Sequence, residues 1–420
     1  MVEPKSLIDH LFRHESGKLI SVLTRIFGPH NLELAEDVVQ DVLVKALDHW
    51  KYHGVPENPT AWLFTAARNK ALDVIRRERH HKEFASNLSP LLKSEYSASP
   101  TLQHLVKEDE IEDEQLRMMF VCCHPLVSEE GQVALILKTL CGFSVAEIAK
   151  AFISNEETIT KRLFRAREQF RNEKIKFELP DPHELQLRLD NVLTAIYLIF
   201  NEGYNSTSHD SLIREDLVEE SLRLGKMISD HRLTRQEKSL GLLSLMCFQS
   251  ARLYSRLDTE GHLLQLKEQD RSQWNQPLIR QAQYYLQEAS KCESLSSFTL
   301  EAAIAQEHCI AGNYAETNWK KILQLYDWLF NIKPDALIAL NRLIVFAEVH
   351  GPQAALTYSR QLDDRSLRNY YLFPAALGEW NAQVGKNKEA RKYFEDAIRL
   401  TQSPTEKALL QNKITKLAPP

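Results

Sequence analysis

The sequence predicts an all-α protein. Glycine is scarce, with 13 residues in 420, whereas alanine and leucine are plentiful. Apolar residues recur at the three-to-four-residue spacing of amphipathic helices along most of the chain. Prolines and one acidic, Ser-bearing stretch divide these patterns into 1–82, 83–114, 115–176 and 177–420. We expect two small helical domains joined by an acidic flexible linker that can end in a helix, followed by a larger helical domain.

Composition narrows the class of protein. The net charge of −5 argues against a protein that coats nucleic acid with its whole surface, but a local basic face stays possible. Six cysteines without a C-x-x-C pair predict reduced thiols in a cytoplasmic protein. The charged N-terminus does not resemble a signal peptide, and the apolar run 191–201 is too short to span a bilayer. We therefore expect no membrane partner.

The first segment ends in a basic helix. In the stretch 62–81, WLFTAARNKALDVIRRERHH, one apolar stripe is followed by Arg76, Arg77 and Arg79. Cations at this position complement the negative end of a helix dipole, or they bind an anionic partner. The pattern alone leaves both interpretations open.

The third segment contains two short helical patterns joined by a tight turn. Ser144 with Glu147, and Ser154 with Glu157, match the S-x-x-E capping box, so we expect helices to begin near residues 145 and 155. This is a helix-turn-helix pattern, whose second helix enters a major groove. The candidate DNA-contacting residues of that helix are Thr158, Lys161, Arg162 and Arg165. An ordinary solvated pair of helices is the alternative. Two basic helices joined by a flexible linker would hold two separated places on one duplex.

The last segment contains a possible repeat. The stretch 311–316, Gly351 and Gly385 each place a glycine between two helical patterns. Gly351 and Gly385 are 34 residues apart, which is the period of a tetratricopeptide repeat. An irregular helical bundle is the alternative. Grooves between stacked helix pairs suit a protein or peptide ligand.

Two motifs resemble catalytic or metal sites without meeting their requirements. Cys122, Cys123 and His124 form a run in which vicinal cysteines do not readily share one tetrahedral ion, so we predict buried packing residues and no metal. The motif 201–205, NEGYN, lacks a nucleophile or a phosphate-binding loop. We expect a helix to end there with Gly203 in a left-handed turn. We predict no catalytic residue, no cofactor and no enzymatic activity.

Three segments resemble a bacterial RNA polymerase sigma factor of the extracytoplasmic-function class. They are LAEDVVQDVLVKALDHW (34–50), NPTAWLFTAARNKALDVIRRER (58–79) and SVAEIAKAFISNEETITKRLFRAREQFR (144–171). The downstream chain resembles the subgroup with a long C-terminal extension bearing tetratricopeptide-like repeats. The segments that carry this second resemblance are 116–135, 197–207, 257–275 and 339–356.

The resemblance implies core RNA polymerase and promoter DNA as partners. It places polymerase-binding residues at Asp37, Gln40, Asp41 and Lys45. It places minus-ten DNA contacts at Tyr52, Asn69, Arg76, Arg77 and Arg79, while Trp62 fits the apolar core better than a melting wedge. The helix-turn-helix would read the minus-thirty-five element. Here Lys161 follows Thr160 where relatives have the cation first, which turns one positive charge by about 100° around the helix.

The resemblance also implies a role for the C-terminal domain, 177–420, in regulating or assisting the DNA-binding domains in cis. One alternative is a helix-turn-helix regulator with a sensory helical domain that binds DNA without polymerase. Another is a repeat-based adaptor in which the N-terminal half is only a scaffold.

Overall fold

The chain forms helices throughout the part that the structure describes. The computed structural model describes residues 4–78, 108–152, 154–173, 175–205, 213–258, 264–360, 367, 370–401 and 403–417. These ranges contain eighteen α-helices and no β-strand, so the all-α prediction is confirmed. None of the described helices is long and apolar enough to cross a membrane. The chain divides into two compact units, 1–202 and 203–420.

The first eight helices belong wholly or mainly to unit 1. They are α1 (Pro4–Phe27), α2 (Leu32–His53), α3 (Pro59–Glu78), α4 (Glu108–Cys122), α5 (Glu129–Thr139), α6 (Val145–Ala151), α7 (Glu156–Asn172) and α8 (Pro182–Tyr204). Glycines with positive φ follow the first two helices: Gly28 has φ 85° and Gly54 has φ 78°. Because glycine has no Cβ, it adopts this backbone at little cost and ends a helix sharply.

Helix α4 begins earlier than the predicted domain boundary. It starts at Glu108, inside the acidic stretch that the sequence suggested as linker. Ile111 and Glu114 are buried, so these residues belong to the packed core and not to a solvated linker. The rest of the predicted linker, like Arg79, lies outside the described residues. The domain bounds drawn from the sequence otherwise stay predictions.

The two predicted N-terminal domains pack against each other within unit 1. A Cβ at Gly17 of α1 would lie 2.2 Å from the carbonyl oxygen of Leu140, which follows α5. Only glycine permits this approach, so α1 and the end of α5 share one core. The core includes Leu19, Leu23, Leu116, Met119 and Leu137, none of which is more than 2 % exposed.

Ten further helices build unit 2. They are α9 (Glu215–Asp230), α10 (Glu237–Ala251), α11 (Gln276–Ala289), α12 (Ser297–Ile310), α13 (Trp319–Ile332), α14 (Ala336–His350), α15 (Pro352–Ser359), α16 (Leu372–Gln383), α17 (Asn387–Leu400) and α18 (Pro404–Lys416). Gly351 and Gly385 have positive φ and join α14 to α15 and α16 to α17. A Cβ at Gly378 would lie 2.7 Å from the Phe394 ring. These helix pairs are compatible with a tetratricopeptide-like repeat, which stays a prediction.

The helix end expected in the motif 201–205 is confirmed, but the left-handed conformation expected for Gly203 was wrong. Helix α8 continues through Gly203 to Tyr204, and Gly203 does not have positive φ. A Cβ there would lie 2.8 Å from the backbone nitrogen of Val218 and 2.9 Å from the Cβ of Leu217. The glycine is therefore needed for the close approach of α9 and not for a turn.

Two buried arginines stabilise helix ends in unit 2. Arg271 donates to the carbonyl oxygens of His308 (2.8 Å) and Ala311 (3.0 Å) at the end of α12. Arg256 donates to the carbonyl oxygen of Tyr204 at the end of α8. Cations favour the C-terminal ends of helices, where carbonyl groups have no partner within the helix. Both arginines lie between α10 and α11, so they attach the described parts of this connection, 252–258 and 264–275, to helix ends.

Candidate nucleic-acid interface

One face of α2 carries the polar residues that the resemblance assigned to polymerase binding. These are Asp37, Gln40, Asp41 and Lys45, and all four are exposed. The other face of the helix is buried through Val38, Val39 and Val42. Asp41 pairs with Lys70 of α3, with 2.8 Å between Oδ2 and Nζ. Both side chains are exposed, so this ion pair contributes little stability and leaves the face open to a partner.

The same face has two apolar residues that the sequence interpretation missed. Val44 is 58 % exposed and Leu47 is 47 % exposed. Both lie within two residues of Lys45, and they extend the exposed face of α2 toward the end of the helix. The sequence did contain a signal for them. The buried stripe of α2 is complete without Val44 and Leu47, and apolar residues outside such a stripe indicate a binding surface.

The last turn of α2 presents an exposed aromatic ring. Tyr52 is 77 % exposed, and the Nζ of Lys51 lies 5.7 Å from its ring centroid. Gly54 ends the helix, and Asn58 caps α3 by accepting a hydrogen bond from the backbone nitrogen of Ala61 at 2.9 Å. The loop between the two caps is therefore short and anchored at both ends, and Tyr52 lies just before it in α2.

Helix α3 displays its polar and basic residues away from the core. Asn69, Arg76 and Arg77 are exposed, and Nη1 of Arg76 lies 3.8 Å from Oδ1 of Asp73. Arg68 donates to Oδ1 of Asn69 at 3.5 Å. The predicted contact residue Arg79 lies outside the described part of the chain. The described cations form a basic end on this helix that an anionic strand would contact.

Trp62 packs in the aromatic cluster at the start of α3. Its ring centroid lies 5.6 Å from that of Trp50 in an edge-on arrangement and 5.4 Å from that of His49. Trp62 is half-buried, as its place on the apolar stripe predicted. The ring joins α2 to α3 and thereby fixes the loop that follows Tyr52.

The helix-turn-helix has one predicted cap and one that differs. Ser144 and Glu147 form the predicted capping box, in which each side chain bonds the backbone nitrogen of the other residue. The cap of α7 is Asn155, whose side chain accepts from the backbone nitrogen of Thr158 at 2.7 Å. Ser154 is not the cap, so the second predicted capping box was wrong. The backbone nitrogen of Ser154 instead bonds the carbonyl oxygen of Ala149 and completes the turn after α6.

The predicted DNA-contacting residues of α7 differ in their exposure and in their contacts. Lys161 is exposed and paired with Glu157 at 2.6 Å, and Arg165 is exposed. Thr158 is half-buried in the first turn. Arg162 is half-buried and helps to line a cavity of about 270 Å³ between α5, α6 and α7. The buried face consists of Ile159, Leu163, Ala166 and Phe170.

Two further cations of α7 contact acidic residues of α2. Arg167 forms ion pairs with Glu36 (2.5 Å) and Glu33 (3.6 Å) on the first turn and a half of α2. Arg171 contacts Glu33 at 3.5 Å. Arg167 lies on the same helix as the predicted DNA-contacting residues, but its guanidinium contacts α2. Sequence pattern could not reveal this, because the partners lie more than 130 residues away in the chain.

The CCH run is part of the core of unit 1. Cys122 and Cys123 are buried, as predicted, and Sγ of Cys122 lies 3.5 Å from the hydroxyl oxygen of Thr139. Burial raises the pKa of the Cys122 thiol to about 12. A thiol with this pKa stays protonated and is a poor nucleophile or metal ligand. Within the described ranges, no three His, Cys, Asp or Glu side chains lie close enough to hold a metal ion.

Comparisons with known proteins bear on these surfaces. Residues 11–81 match the family model of sigma-70 region 2, and residues 188–290 match a family of unknown function, DUF6596. The ECF RNA polymerase sigma factor SigL of Mycobacterium tuberculosis is 30 % identical over 130 residues, which cover 31 % of this chain and 68 % of SigL. This chain belongs to the ECF sigma factor family.

Two other proteins are similar to this ECF sigma factor. The RNA polymerase sigma factor YlaC of Bacillus subtilis is 25 % identical over 162 residues, covering 38 % of this chain and 87 % of YlaC. An uncharacterized protein of Rhizobium meliloti, R00370, is 32 % identical over 399 residues, covering 95 % of this chain and 93 % of that protein. No solved structure matches the chain. The ECF sigma factor thus has a long C-terminal extension, which the Rhizobium relative shares.

Proposed function

We propose that this ECF sigma factor binds core RNA polymerase and directs it to promoters, where it assists the opening of the DNA strands. One observation carries the proposal. The compact unit 1 presents a mixed polar and apolar face on α2, a basic end on α3 and a helix-turn-helix with an exposed basic side. These three surfaces suit, in this order, polymerase binding, contact with the opened minus-ten strand and contact with the minus-thirty-five duplex. The nucleotidyl transfer itself belongs to polymerase, so this chain needs no catalytic group.

Polymerase binding is assigned to the exposed face of α2. Asp37 and Asp41 are one turn apart and meet a basic partner, while Gln40 and Lys45 add hydrogen bonds. Val44 and Leu47 supply apolar area beside these charges. An interface that combines an apolar centre with a polar rim is the usual anatomy of a specific protein contact.

Contacts with the opened minus-ten strand are assigned to α3 and the last turn of α2. An unstacked base costs a few kcal/mol unless a protein surface receives it. The exposed Tyr52 ring provides such a stacking surface. Asn69 then contacts a base edge, and Arg76 and Arg77 follow the phosphates, with Arg79 as the next cation along the chain.

Contacts with the minus-thirty-five duplex are assigned to α7. Thr158 lies in the first helical turn, which is the part of a recognition helix that approaches base edges. Arg165 is exposed and available to guanine or phosphate, and Arg162 lies one turn earlier on the same side. Lys161 exchanges its contact with Glu157 for a phosphate.

Run-off transcription tests this proposal. Purified core polymerase with this chain should produce transcripts from promoter fragments of the genome that encodes it, and core polymerase alone should not. The variant Asp37→Ala with Asp41→Ala should lower the yield and the retention of core polymerase on an affinity column. A matched control is Glu389→Ala with Glu395→Ala, which removes two exposed carboxylates from α17 in unit 2. Absence of transcripts from every fragment would contradict the proposal.

The C-terminal extension is proposed to regulate or assist unit 1 in cis through a protein or peptide ligand. Support comes from a cavity of about 920 Å³ in unit 2, lined by α16, α17, α18 and the segment 264–268. Lys413 on this wall contacts Glu379 and Gln265, which fixes polar groups around the cavity. Removing residues 203–420, at the division between the compact units, should change the transcript yield or its regulation in the cell. Unchanged yield together with unchanged regulation would contradict this role.

A further inference from the structure

A second cavity of unit 2, here termed the α15–α17 cavity, has a volume of about 410 Å³. Residues of α15, α16 and α17 line it, together with Arg360 just after α15 and Lys386 just before α17. It shares no lining residue with the larger cavity that is proposed to take a protein or peptide. Ligand-binding cavities usually have volumes of about 300 to 1,000 Å³, so this one is large enough for a small organic molecule.

One wall of the α15–α17 cavity is apolar. It consists of Leu356, Phe373 and Leu377, here termed the apolar wall. Leu356 is 9 % exposed and belongs to a hydrophobic cluster, on which the other two residues pack as partly buried side chains. Because covering apolar surface is favourable, this wall suits the aliphatic or aromatic part of a ligand.

Two cations at the cavity have no acidic partner. The side chains of Arg360 and Lys386 are exposed, and neither forms an ion pair or a hydrogen bond within the described part of the chain. Lys386 is also the N-cap residue of α17, and no side chain caps this helix. The amide groups of its first turn are therefore open to an acceptor from outside the helix. Cations beside an uncapped helix start form a site for an anionic group such as a carboxylate.

A buried amide supplies an acceptor next to Lys386. Asn381 is only 5 % exposed, and its Nδ2 donates to the carbonyl oxygen of Leu377 at 2.8 Å. Its Oδ1 faces the cavity without a partner among the described residues. The backbone nitrogen of Lys386 bonds the carbonyl oxygen of Asn381 at 2.8 Å, which places the start of α17 beside this amide.

A second acceptor comes from the first turn of α17. Glu389 lines the cavity, and its carboxylate forms no ion pair with the described residues. A carboxylate and an amide oxygen accept hydrogen bonds, so together with Asn381 this residue suits an ammonium group, which has three donors. The cavity thus combines sites for a positive group, a negative group and an apolar group.

We propose that the α15–α17 cavity binds a free α-amino acid with an apolar side chain, such as leucine or phenylalanine. The carboxylate contacts Arg360, Lys386 and the first turn of α17. The ammonium group donates to Asn381 and Glu389, and the side chain covers the apolar wall. A phosphate would leave both acceptors against negative charge, and an uncharged apolar molecule would leave the polar groups unmet, so neither matches the whole lining.

Isothermal titration calorimetry on the full-length chain tests the proposal with a series of related ligands. Leucine or phenylalanine should bind. Leucinamide lacks the carboxylate, N-acetyl-leucine lacks the ammonium group and glycine lacks the apolar side chain, so each should bind roughly tenfold more weakly or worse. Absence of binding by every apolar amino acid at millimolar concentration would overturn the proposal. Equal affinity for leucine and N-acetyl-leucine would also overturn it, and would favour the C-terminus of a peptide as ligand.

Variants locate the binding in this cavity. Arg360→Gln with Lys386→Gln should weaken leucine binding roughly tenfold or more, because two charge-assisted contacts are lost. Both side chains are exposed, so the melting temperature should not change. The matched control, Lys388→Gln with Lys392→Gln, removes two exposed cations of α17 that do not line the cavity, and should bind leucine normally. Equal affinities in the two double variants would overturn the assigned site. None of these measurements needs polymerase, so their failure is distinguishable from failure of the proposed function.

Discussion

At the scale of single residues, the contact candidates on α2 and α3 were identified from the resemblance. Asp37, Asp41 and Asn69 are all exposed in the structure, outside the apolar stripes of their helices. The contacts of the Arg167 side chain could not be predicted from the sequence. A local pattern identifies a cation on a polar side of a helix, but only tertiary packing determines which acidic residue it contacts.

The basic end of α3 gives a prediction at this scale. Arg76→Ala with Arg77→Ala should reduce promoter opening and run-off yield at least tenfold, because two phosphate contacts are lost. Binding to core polymerase should not change, since the α2 face is intact. Run-off yield and permanganate reactivity of the minus-ten strand measure the two steps.

Lys388→Ala with Lys392→Ala is the control for this prediction, as it removes the same charge from α17 in unit 2. The contact assignment fails if both double variants transcribe equally well. It also fails if the run-off yield of the arginine variant recovers at low salt while the permanganate reactivity of its minus-ten strand is normal at every salt concentration.

At the scale of secondary-structure elements, the existence and order of the helices were easier to predict than the residues at which they begin and end. Both helices of the helix-turn-helix begin within a residue or two of the predicted positions, 145 and 155. The cap of α7 was misplaced by one residue because serine and asparagine are about equally good caps. Ser154 is used by the preceding turn, and a local motif does not show where that turn ends.

The neighbouring residues Ser154 and Asn155 supply a matched pair of variants. Asn155→Ala should destabilise α7 by about 1 kcal/mol, because the backbone nitrogen of Thr158 loses its acceptor. Ser154→Ala should change stability by less than about 0.5 kcal/mol, as expected where no such bond is lost. Hydrogen exchange of the amides in the first turn of α7 measures the difference. Equal protection in the two variants would contradict the assigned cap.

At the scale of the whole molecule, the sequence predicted an all-α chain and a long extension, but not the closed packing of unit 1. Two basic helices with an acidic stretch between them suggested independent domains. The structure shows that α4 takes up the end of the acidic stretch, and that α1 lies against Leu140, just after α5, at Gly17. Such packing depends on shape complementarity between distant segments, which residue periodicity does not encode.

The central claim is that this chain acts on promoters as a subunit of polymerase and not as an independent regulator. A band shift with promoter fragments, with and without core polymerase, tests this most directly. The chain alone should bind weakly, because its two DNA-binding helices belong to one compact unit. Adding core polymerase should produce a complex that resists competitor DNA. Tight sequence-specific binding by the chain alone, unaffected by polymerase, would contradict the account.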